Sequence, residues 1–176
     1  MSASAADLAA CARQRGREMR GVVSVAHRCA CGEPDVVRTV PRLPDETPFP
    51  TTYYATCPRL TGCVSTLESS GVMKQMEGRL ATDVVLAQRY RAAHDDYLKH
   101  RDELGHVAEI AGVSAGGMPD RVKCLHVLVA HALARGPGVN PLGDEALEML
   151  DNWWEPTSCA AVAAAALAES AGSLDG

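Results

Sequence analysis

The sequence predicts an α+β fold, with a small three-stranded N-terminal sheet packed against a mainly helical C-terminal part. Three short runs rich in β-branched and aromatic residues lie between residues 21 and 56, which favours strands there. Beyond residue 58, apolar residues recur at helical spacing. Aromatic residues make up only 4% of the 176 residues, so Ala, Val, Leu and Met must build the core, and these side chains suit closely packed helices.

The N-terminal third is expected to contain one helix and the three strands. Residues 1–20 are predicted to form a loosely held helix that ends at Gly21 and extends from the main domain. Strands are predicted at residues 21–26, 35–40 and 51–56, and Gly32 and Pro34 mark a turn between the first two. The rest of the chain is predicted to consist of a single α+β domain over residues 21–152 and an Ala-rich acidic tail over residues 153–176.

Helices are expected through most of the chain after residue 58. They are predicted at residues 60–80 with a break at 69–71, and at 82–104, 119–135, 144–150 and 159–171. Thr82 and Asp144 are the expected N-caps of the second and fourth helices. Pro119 suits the first turn of the third helix, and Gly136 suits its end.

Charge is unevenly distributed along the chain. The formal net charge is −5, which argues against general binding to nucleic-acid phosphates. Residues 13–42 carry seven arginines against three acids, whereas residues 143–176 carry seven acids and no Lys or Arg. These segments either attract one another and keep the protein soluble, or dock a protein partner. No stretch approaches the ~20 apolar residues of a membrane helix, and no basic signal-like segment opens the chain, so a cytoplasmic protein is expected.

Three segments are more specific to a protein family than the helical and strand periodicity described above. They are residues 41–58 (PRLPDETPFPTTYYATCP), 117–131 (GMPDRVKCLHVLVAH) and 136–144 (GPGVNPLGD). Together they resemble the domain-of-unknown-function-501 family, which is common in actinobacteria, over about residues 20 to 150. The resemblance implies no particular activity, because the family is uncharacterised. Glu46 stands where the family pattern is expected to have Gly.

The cysteines provide the most concrete functional hypothesis. The chain has seven cysteines, an odd number, and a reducing compartment would keep them as thiols. In a meander the first and third strands run parallel, so Cys29, Cys31 and Cys57 are expected at one sheet edge, and Cys124 on the Pro119 helix can supply a fourth thiolate. Four thiolates suit zinc or an iron-sulfur cluster of structural or redox role. The alternative is that these cysteines are small buried hydrophobic residues.

A site of cysteines alone is preferred over a mixed one on helical geometry. If residues 119–135 are one helix, Cys124 and His126 lie about 200° apart around its axis, and Cys124 and His131 are separated by about 10.5 Å of rise. Neither histidine then easily shares an ion with Cys124. Three further cysteines are expected to be packing or surface residues: Cys11, Cys63 and Cys159.

The predicted start of the Pro119 helix is a second candidate site, for a small anion. A helix N-terminus offers unpaired N–H groups, and Arg121 and Lys123 would add positive charge. Asn140 could complete a polar pocket. In the alternative interpretation Asp120 supports the helix dipole while Arg121 and Lys123 are solvated.

Histidines are the candidate proton carriers, since only imidazole titrates near neutrality without perturbation. An enzyme at the anion site would use His126 or His94, with Asp120 beside them. A buried histidine bonded to a carbonyl or carboxylate is the alternative for His94 and for His131. Three acids offer themselves as partners: Glu68, Asp95 and Asp96.

Three functional hypotheses therefore remain open. They are a thiolate metal centre, a small-anion-binding enzyme or sensor, and a protein-interaction module without chemistry of its own. The sequence has no nucleophile elbow, phosphate loop or dinucleotide fingerprint, so the common hydrolase and nucleotide-binding classes lack support.

Overall fold

The predicted α+β architecture is confirmed. The computed structural model describes residues 2–155 together with residues 161 and 165. Its elements are α1 (Ala5–Arg15), β1 (Val22–Arg28), β2 (Pro34–Thr39), β3 (Tyr53–Ala55), α2 (Pro58–Ser69), α3 (Val72–Leu80), α4 (Val84–Asp102), a short 3-10 turn (Ala108–Ile110), α5 (Leu125–Arg135) and α6 (Pro141–Glu148).

The sheet is an antiparallel meander in the order β1-β2-β3, so β1 and β3 run parallel as expected. Val37 on β2 pairs with Val25 on one side and with Tyr54 on the other. The register of β1 against β2 shifts several times along its length. Cys29 and Cys57 therefore follow two strands that end at the same edge of the sheet.

The helices bury the apolar residues that their spacing indicated. Leu125, Leu128 and Val129 of α5 are fully buried and belong to the same core as Val36 of β2 and Leu60 of α2. On α4 the predicted buried face is confirmed at three positions that are fully inaccessible to solvent: Tyr90, Ala93 and Tyr97. This core holds α5 against β3 and brings the start of α5 close to α2.

Three helix ends differ from the predicted ones. Helix α1 ends at Gly16, whose φ of 66° is the left-handed conformation that glycine adopts easily, rather than at Gly21. Asp83 caps α4 in place of Thr82, because its side chain accepts a hydrogen bond from the Leu86 N–H. Asn140 caps α6 in place of Asp144.

The largest difference concerns the helix predicted to start at Pro119. Helix α5 begins only at Leu125. The preceding residues form one turn, closed by a hydrogen bond from the Arg121 N–H to the Gly117 carbonyl at 2.9 Å, that does not continue as a helix. The Lys123 N–H donates instead to the Gly116 carbonyl, seven residues earlier, at 2.8 Å. The Met118–Pro119 peptide bond in this segment is cis. Because α5 begins at Leu125, Cys124 precedes the helix.

The N-terminal segment contacts the sheet through polar groups. The Gln14 side chain donates to the Pro34 carbonyl at 2.7 Å, and Arg28 pairs with Asp7 at 2.7 Å. Five of the seven arginines in residues 13–42 form ion pairs with acids of the same chain: Arg13–Glu33, Arg20–Asp45, Arg28–Asp7, Arg38–Glu103 and Arg42–Glu109. Much of the basic character of this segment is thus matched internally.

A tight turn places Glu46 in the left-handed region, with φ of 65°. The Glu46 N–H donates to the Leu43 carbonyl, and the Leu43 N–H donates to the Thr47 carbonyl, both at 2.9 Å. This is the position where the family pattern is expected to have Gly, and the backbone conformation is the one that glycine favours.

Within the described residues, no helix is both long and apolar enough to cross a lipid bilayer. Cys159 and most of the helix predicted for residues 159–171 lie outside the described residues.

Candidate functional site

The four cysteines predicted to share a metal lie in three separate local settings. Cys29 and Cys31 sit in the turn between β1 and β2 and form a disulfide, with their Cα atoms 5.3 Å apart, so these two are not the thiols that were expected. Cys57 is fully buried at the N-cap position of α2, and Cys124 is half-buried at the N-cap position of α5. Among the described residues, no three of these sulfur atoms form a metal-binding group.

A different group of ligand atoms does converge. The carboxylate of Glu68, the sulfur of Cys124 and the imidazole of His126 each offer one atom, and these atoms all lie within 4.8 Å of one another. In the part of the chain that the structure describes, this is the one such group of three or more His, Cys, Asp or Glu side chains. Of these residues, Cys124 was predicted as a metal ligand and His126 as a catalytic residue. Glu68 was predicted only as a partner for a histidine.

The local backbone explains why Cys124 and His126 can meet. Cys124 has an extended conformation, with φ of −156° and ψ of 109°, because α5 has not yet begun. The predicted separation of the two side chains by about 200° is therefore wrong, because it requires a helix at both positions. The Cys124 Sγ lies 3.9 Å from the His126 Nδ1.

Glu68 holds the group together from the last turn of α2. Its Oε1 accepts a hydrogen bond from the Leu125 N–H at 2.7 Å and lies 3.2 Å from the His126 Nδ1. A carboxylate at this place is favoured, because the first N–H groups of a helix lack internal partners and carry positive potential. The chain's own Glu68 thus occupies the helix N-terminus that the sequence suggested for an external anion.

The His126 ring is oriented by its second nitrogen. Its Nε2 lies 3.2 Å from the Thr61 carbonyl oxygen, so Nε2 donates there and Nδ1 faces Cys124 and Glu68. The hydrogen bond with Cys124, together with the Glu68 charge, raises the pKa of His126 to about 9 against the opposing effect of burial.

The group opens onto a pocket of about 430 Å³. Cys124 and His126 line it together with β3, two side chains of α2 and Arg15 at the end of α1. Pockets of this volume are large enough for small organic ligands. The side chains of Glu68 and His126 are 23% and 28% exposed, so solvent reaches the group.

His94, the other histidine predicted to be catalytic, lies elsewhere. It is buried on α4, and its Nδ1 is 2.9 Å from the Ser114 Oγ. Burial lowers the pKa of His94. Its partner is therefore Ser114 of the loop before Pro119 rather than Asp95, and the contact anchors that loop.

The residues predicted to form an anion site are not gathered together. Asp120 is exposed and pairs with Arg91 at 2.8 Å, while the Arg121 side chain is exposed and lies 3.7 Å from Glu77. Lys123 is exposed, in the segment before α5. Asn140, in contrast, is fully buried and caps α6 by accepting from the Gly143 N–H at 3.0 Å.

Sequence reasoning did not assign a functional role to Glu68, Arg15 or Tyr54. Glu68 was recognised as a partner for a histidine, which is the role it has toward His126. Arg15 lies outside the three distinctive segments, whereas Tyr54 lies within residues 41–58, and their joint position at the pocket depends on how α1 packs against the sheet. The spacing of residues along the chain holds no signal for that packing.

Comparison with known proteins identifies a matching protein family. A family described as "Protein of unknown function (DUF501)" matches residues 25–148. No curated protein and no solved structure matches the chain.

Proposed function

Because the chain belongs to the DUF501 family of proteins of unknown function, a membership that carries no assigned activity, we propose a function from its own side chains. The protein binds one zinc ion through Glu68, Cys124 and His126, and one coordination position stays open toward the adjoining pocket. The convergence of these three ligand atoms is the observation that carries the proposal.

The spacing of the ligand atoms fits a zinc ion. Ordinary zinc-ligand bond lengths in a tetrahedral site place a sulfur about 3.6 Å from a nitrogen, and a nitrogen about 3.3 Å from an oxygen. The corresponding distances are 3.9 Å from Cys124 Sγ to His126 Nδ1 and 3.2 Å from that Nδ1 to Glu68 Oε1. The two distances from His126 Nδ1 thus lie close to those of a zinc site, and all three ligand atoms lie within 4.8 Å of one another.

The surroundings of His126 support the same proposal. A metal-binding histidine usually donates its other ring N–H to a carbonyl or carboxylate, which fixes the tautomer and the ring orientation. The Thr61 carbonyl accepts from Nε2 in this way. Zinc binding then displaces the proton from Nδ1, so uptake of the metal is coupled to proton release.

The set of donors favours zinc over an iron-sulfur cluster. Clusters are held mainly by several thiolates, whereas this group has one sulfur, one nitrogen and one oxygen. A mixed set of this kind suits zinc, and three protein ligands with an open fourth position are typical of zinc sites that act on a bound molecule. The proposal therefore retains the predicted metal but changes its ligands.

Metal titration of purified protein tests the proposal. After removal of metals with a chelator, we expect one zinc ion per chain, measured by elemental analysis and by competition with a chromogenic chelator. Cys124→Ser, His126→Gln and Glu68→Gln should each weaken zinc binding at least about tenfold. Cobalt in place of zinc should give a thiolate charge-transfer band that Cys124→Ser abolishes.

Two cysteine variants serve as matched controls. Cys63→Ser changes a half-buried cysteine on α2 that lies outside the group, and Cys57→Ser changes a buried one that belonged to the four-cysteine prediction. Both should retain zinc. Loss of zinc in Cys57→Ser together with full retention in His126→Gln would contradict the proposal, as would wild-type protein that binds no zinc.

A further inference from the structure

In the pocket beside the zinc group the charge of Arg15 has no balancing acid, whereas the charge of His126 is balanced by Glu68. Arg15 and His126 both line it, whereas no Asp or Glu belongs to its described lining. Elsewhere on the surface, in the wider groove of about 740 Å³ between α3 and α4, Lys74 and Arg91 are accompanied by Glu77 and Asp120. The charge of Arg15 in the smaller pocket is therefore not matched by an acid of the described lining.

Arg15 is fixed in place but incompletely hydrogen-bonded. Its Nη2 donates to the Tyr54 hydroxyl at 3.1 Å, and its guanidinium lies over the Tyr54 ring, 5.4 Å from the centroid. Its Nε is buried and has no hydrogen-bond partner among the described residues. Arginine recognises carboxylates and phosphates by offering two N–H groups in one plane, so the guanidinium of Arg15 is a donor group suited to an oxyanion.

Tyr54 contributes a second donor. Because its oxygen accepts from Arg15, its own O–H proton remains to be given to another group. The hydroxyls of Thr61 and Ser65 in the same pocket instead donate to carbonyl oxygens of their own helix, at 3.1 and 2.8 Å. Arg15 and Tyr54 are thus the residues equipped to bind an anion.

We propose that this pocket binds a small organic anion, whose carboxylate or phosphate group is held by Arg15 and Tyr54 and occupies the open position on the zinc ion. This inference rests on the proposed zinc site and adds the class of its ligand. The volume of about 430 Å³ leaves room for an organic body beside the anionic group.

Calorimetric titration of the zinc-loaded protein with inorganic phosphate and with acetate tests the inference. Acetamide, which has nearly the same shape as acetate but no charge, is the ligand control. We expect phosphate or acetate to bind and acetamide not to bind. Arg15→Gln should weaken anion binding at least tenfold, and Arg15→Lys should restore part of it, since the charge returns without the planar pair of donors.

Arg13→Gln is the matched protein control. Arg13 lies two residues earlier on α1, is largely exposed and does not line the pocket. It should leave anion binding unchanged, and both Arg13→Gln and Arg15→Gln should bind zinc as the wild type does.

The outcomes separate the two proposals. Zinc-loaded wild type that binds neither anion, or binds acetamide equally well, would overturn the anion inference and leave the zinc site standing. Equal anion binding by Arg15→Gln and the wild type would also overturn it. Failure of the wild type to take up zinc would remove the zinc site itself.

Discussion

His131 is completely buried on α5, yet each of its ring nitrogens has a polar neighbour. Its Nε2 is 2.9 Å from the Asp96 Oδ1, and its Nδ1 is 3.2 Å from the Asn140 Nδ2. Because the Asn140 amide donates to Nδ1, the ring is neutral and donates from Nε2 to Asp96. The ring also stacks on Tyr53 and meets Tyr97 edge-on. Burial lowers the pKa of His131.

A pH dependence of stability follows from that lowered pKa. The unfolded chain takes up a proton on His131 as the pH falls through 6.5, whereas the folded protein resists it. Protonation therefore favours unfolding, and the contribution of this residue is full above pH 6.5 and is lost progressively below it. Buried His94 acts in the same direction. The expected loss is at most about 1.4 kcal/mol per pH unit for each such proton.

Urea unfolding of the zinc-free protein at several pH values checks this. Between pH 6.5 and 5.5 the free energy of unfolding of the wild type should fall more steeply than that of His131→Gln. If the variant does not fold, NMR titration of the wild-type imidazoles replaces it, and the pKa of His131 should lie below its ordinary value of 6.5. An unchanged slope in a folded variant, or an ordinary titration near 6.5, would contradict the prediction.

Individual residue roles were only partly accessible from the sequence. Asp96 was among the partners expected for His131, because a buried histidine is commonly bonded to a carboxylate, and Glu68 was among the acids expected to be available to a buried histidine. The joint position of Glu68, Cys124 and His126 was not expected, since it depends on an extended residue immediately before a helix. Glu46, where the resemblance leads to the expectation of Gly, has a left-handed backbone, with φ of 65°.

At the scale of elements, α5 and α6 approach unusually closely at Gly143. A Cβ atom at this position would collide with the Leu128 carbonyl oxygen and lie 2.9 Å from the Ala132 Cβ. The absence of a side chain therefore lets α6 pack directly against the backbone of α5. The same approach brings Asn140, the cap of α6, to His131.

Gly143→Ala should consequently be strongly destabilising, by about 3 kcal/mol or more, because the backbone atoms of α5 cannot move aside without disturbing the core. Gly62→Ala is the matched control: it lies within α2, and a Cβ there meets nothing within 4 Å. That change should stabilise the protein by about 0.5 to 1 kcal/mol. Urea denaturation measures both, and equal effects of the two variants would contradict the proposed close packing.

Most elements could be predicted from periodicity, whereas their starting points could not. Strand composition and helical spacing correctly indicated the meander and the buried face of α4. Pro119 is compatible with a helix start, but the loop ending at Gly117 offers its own carbonyls to the following N–H groups. The hydrogen bonds of this loop therefore outweigh the local preference of Pro119 for the first turn of a helix. As a result α5 begins at Leu125, and this start determines the geometry of the candidate site.

At the scale of the whole molecule, Arg101 connects the longest helix to the irregular segment that precedes the site. Its side chain is only 1% exposed, and it donates to the Val113 and Ile110 carbonyls at 2.5 and 2.8 Å. Together with the contact between His94 and Ser114, it fixes the loop that leads to Cys124. The position of the Glu68, Cys124 and His126 group thus depends on α4, which contributes no side chain to it.

Arg101→Met should release this loop. Removing the guanidinium leaves two carbonyls without their donors, so we expect a loss of about 2 to 4 kcal/mol in stability and faster amide exchange over residues 107–118. Arg91→Met is the control on the same helix, because Arg91 forms only an exposed pair with Asp120 and should change stability by less than about 0.5 kcal/mol. Hydrogen exchange followed by mass spectrometry reads out both variants, and unaltered exchange in Arg101→Met would argue against the connection.

The two tryptophans of the chain are adjacent, and this has an optical consequence. Trp153 is buried in the core, and the Trp154 ring meets it edge-on with the centroids 4.8 Å apart. Arg59 of α2 donates to the Glu155 carbonyl just beyond them. Indole fluorescence therefore monitors the packing of residues 153–155 against the rest of the protein. The midpoint of unfolding that it reports can be compared with the midpoint from far-ultraviolet circular dichroism, which follows the helices.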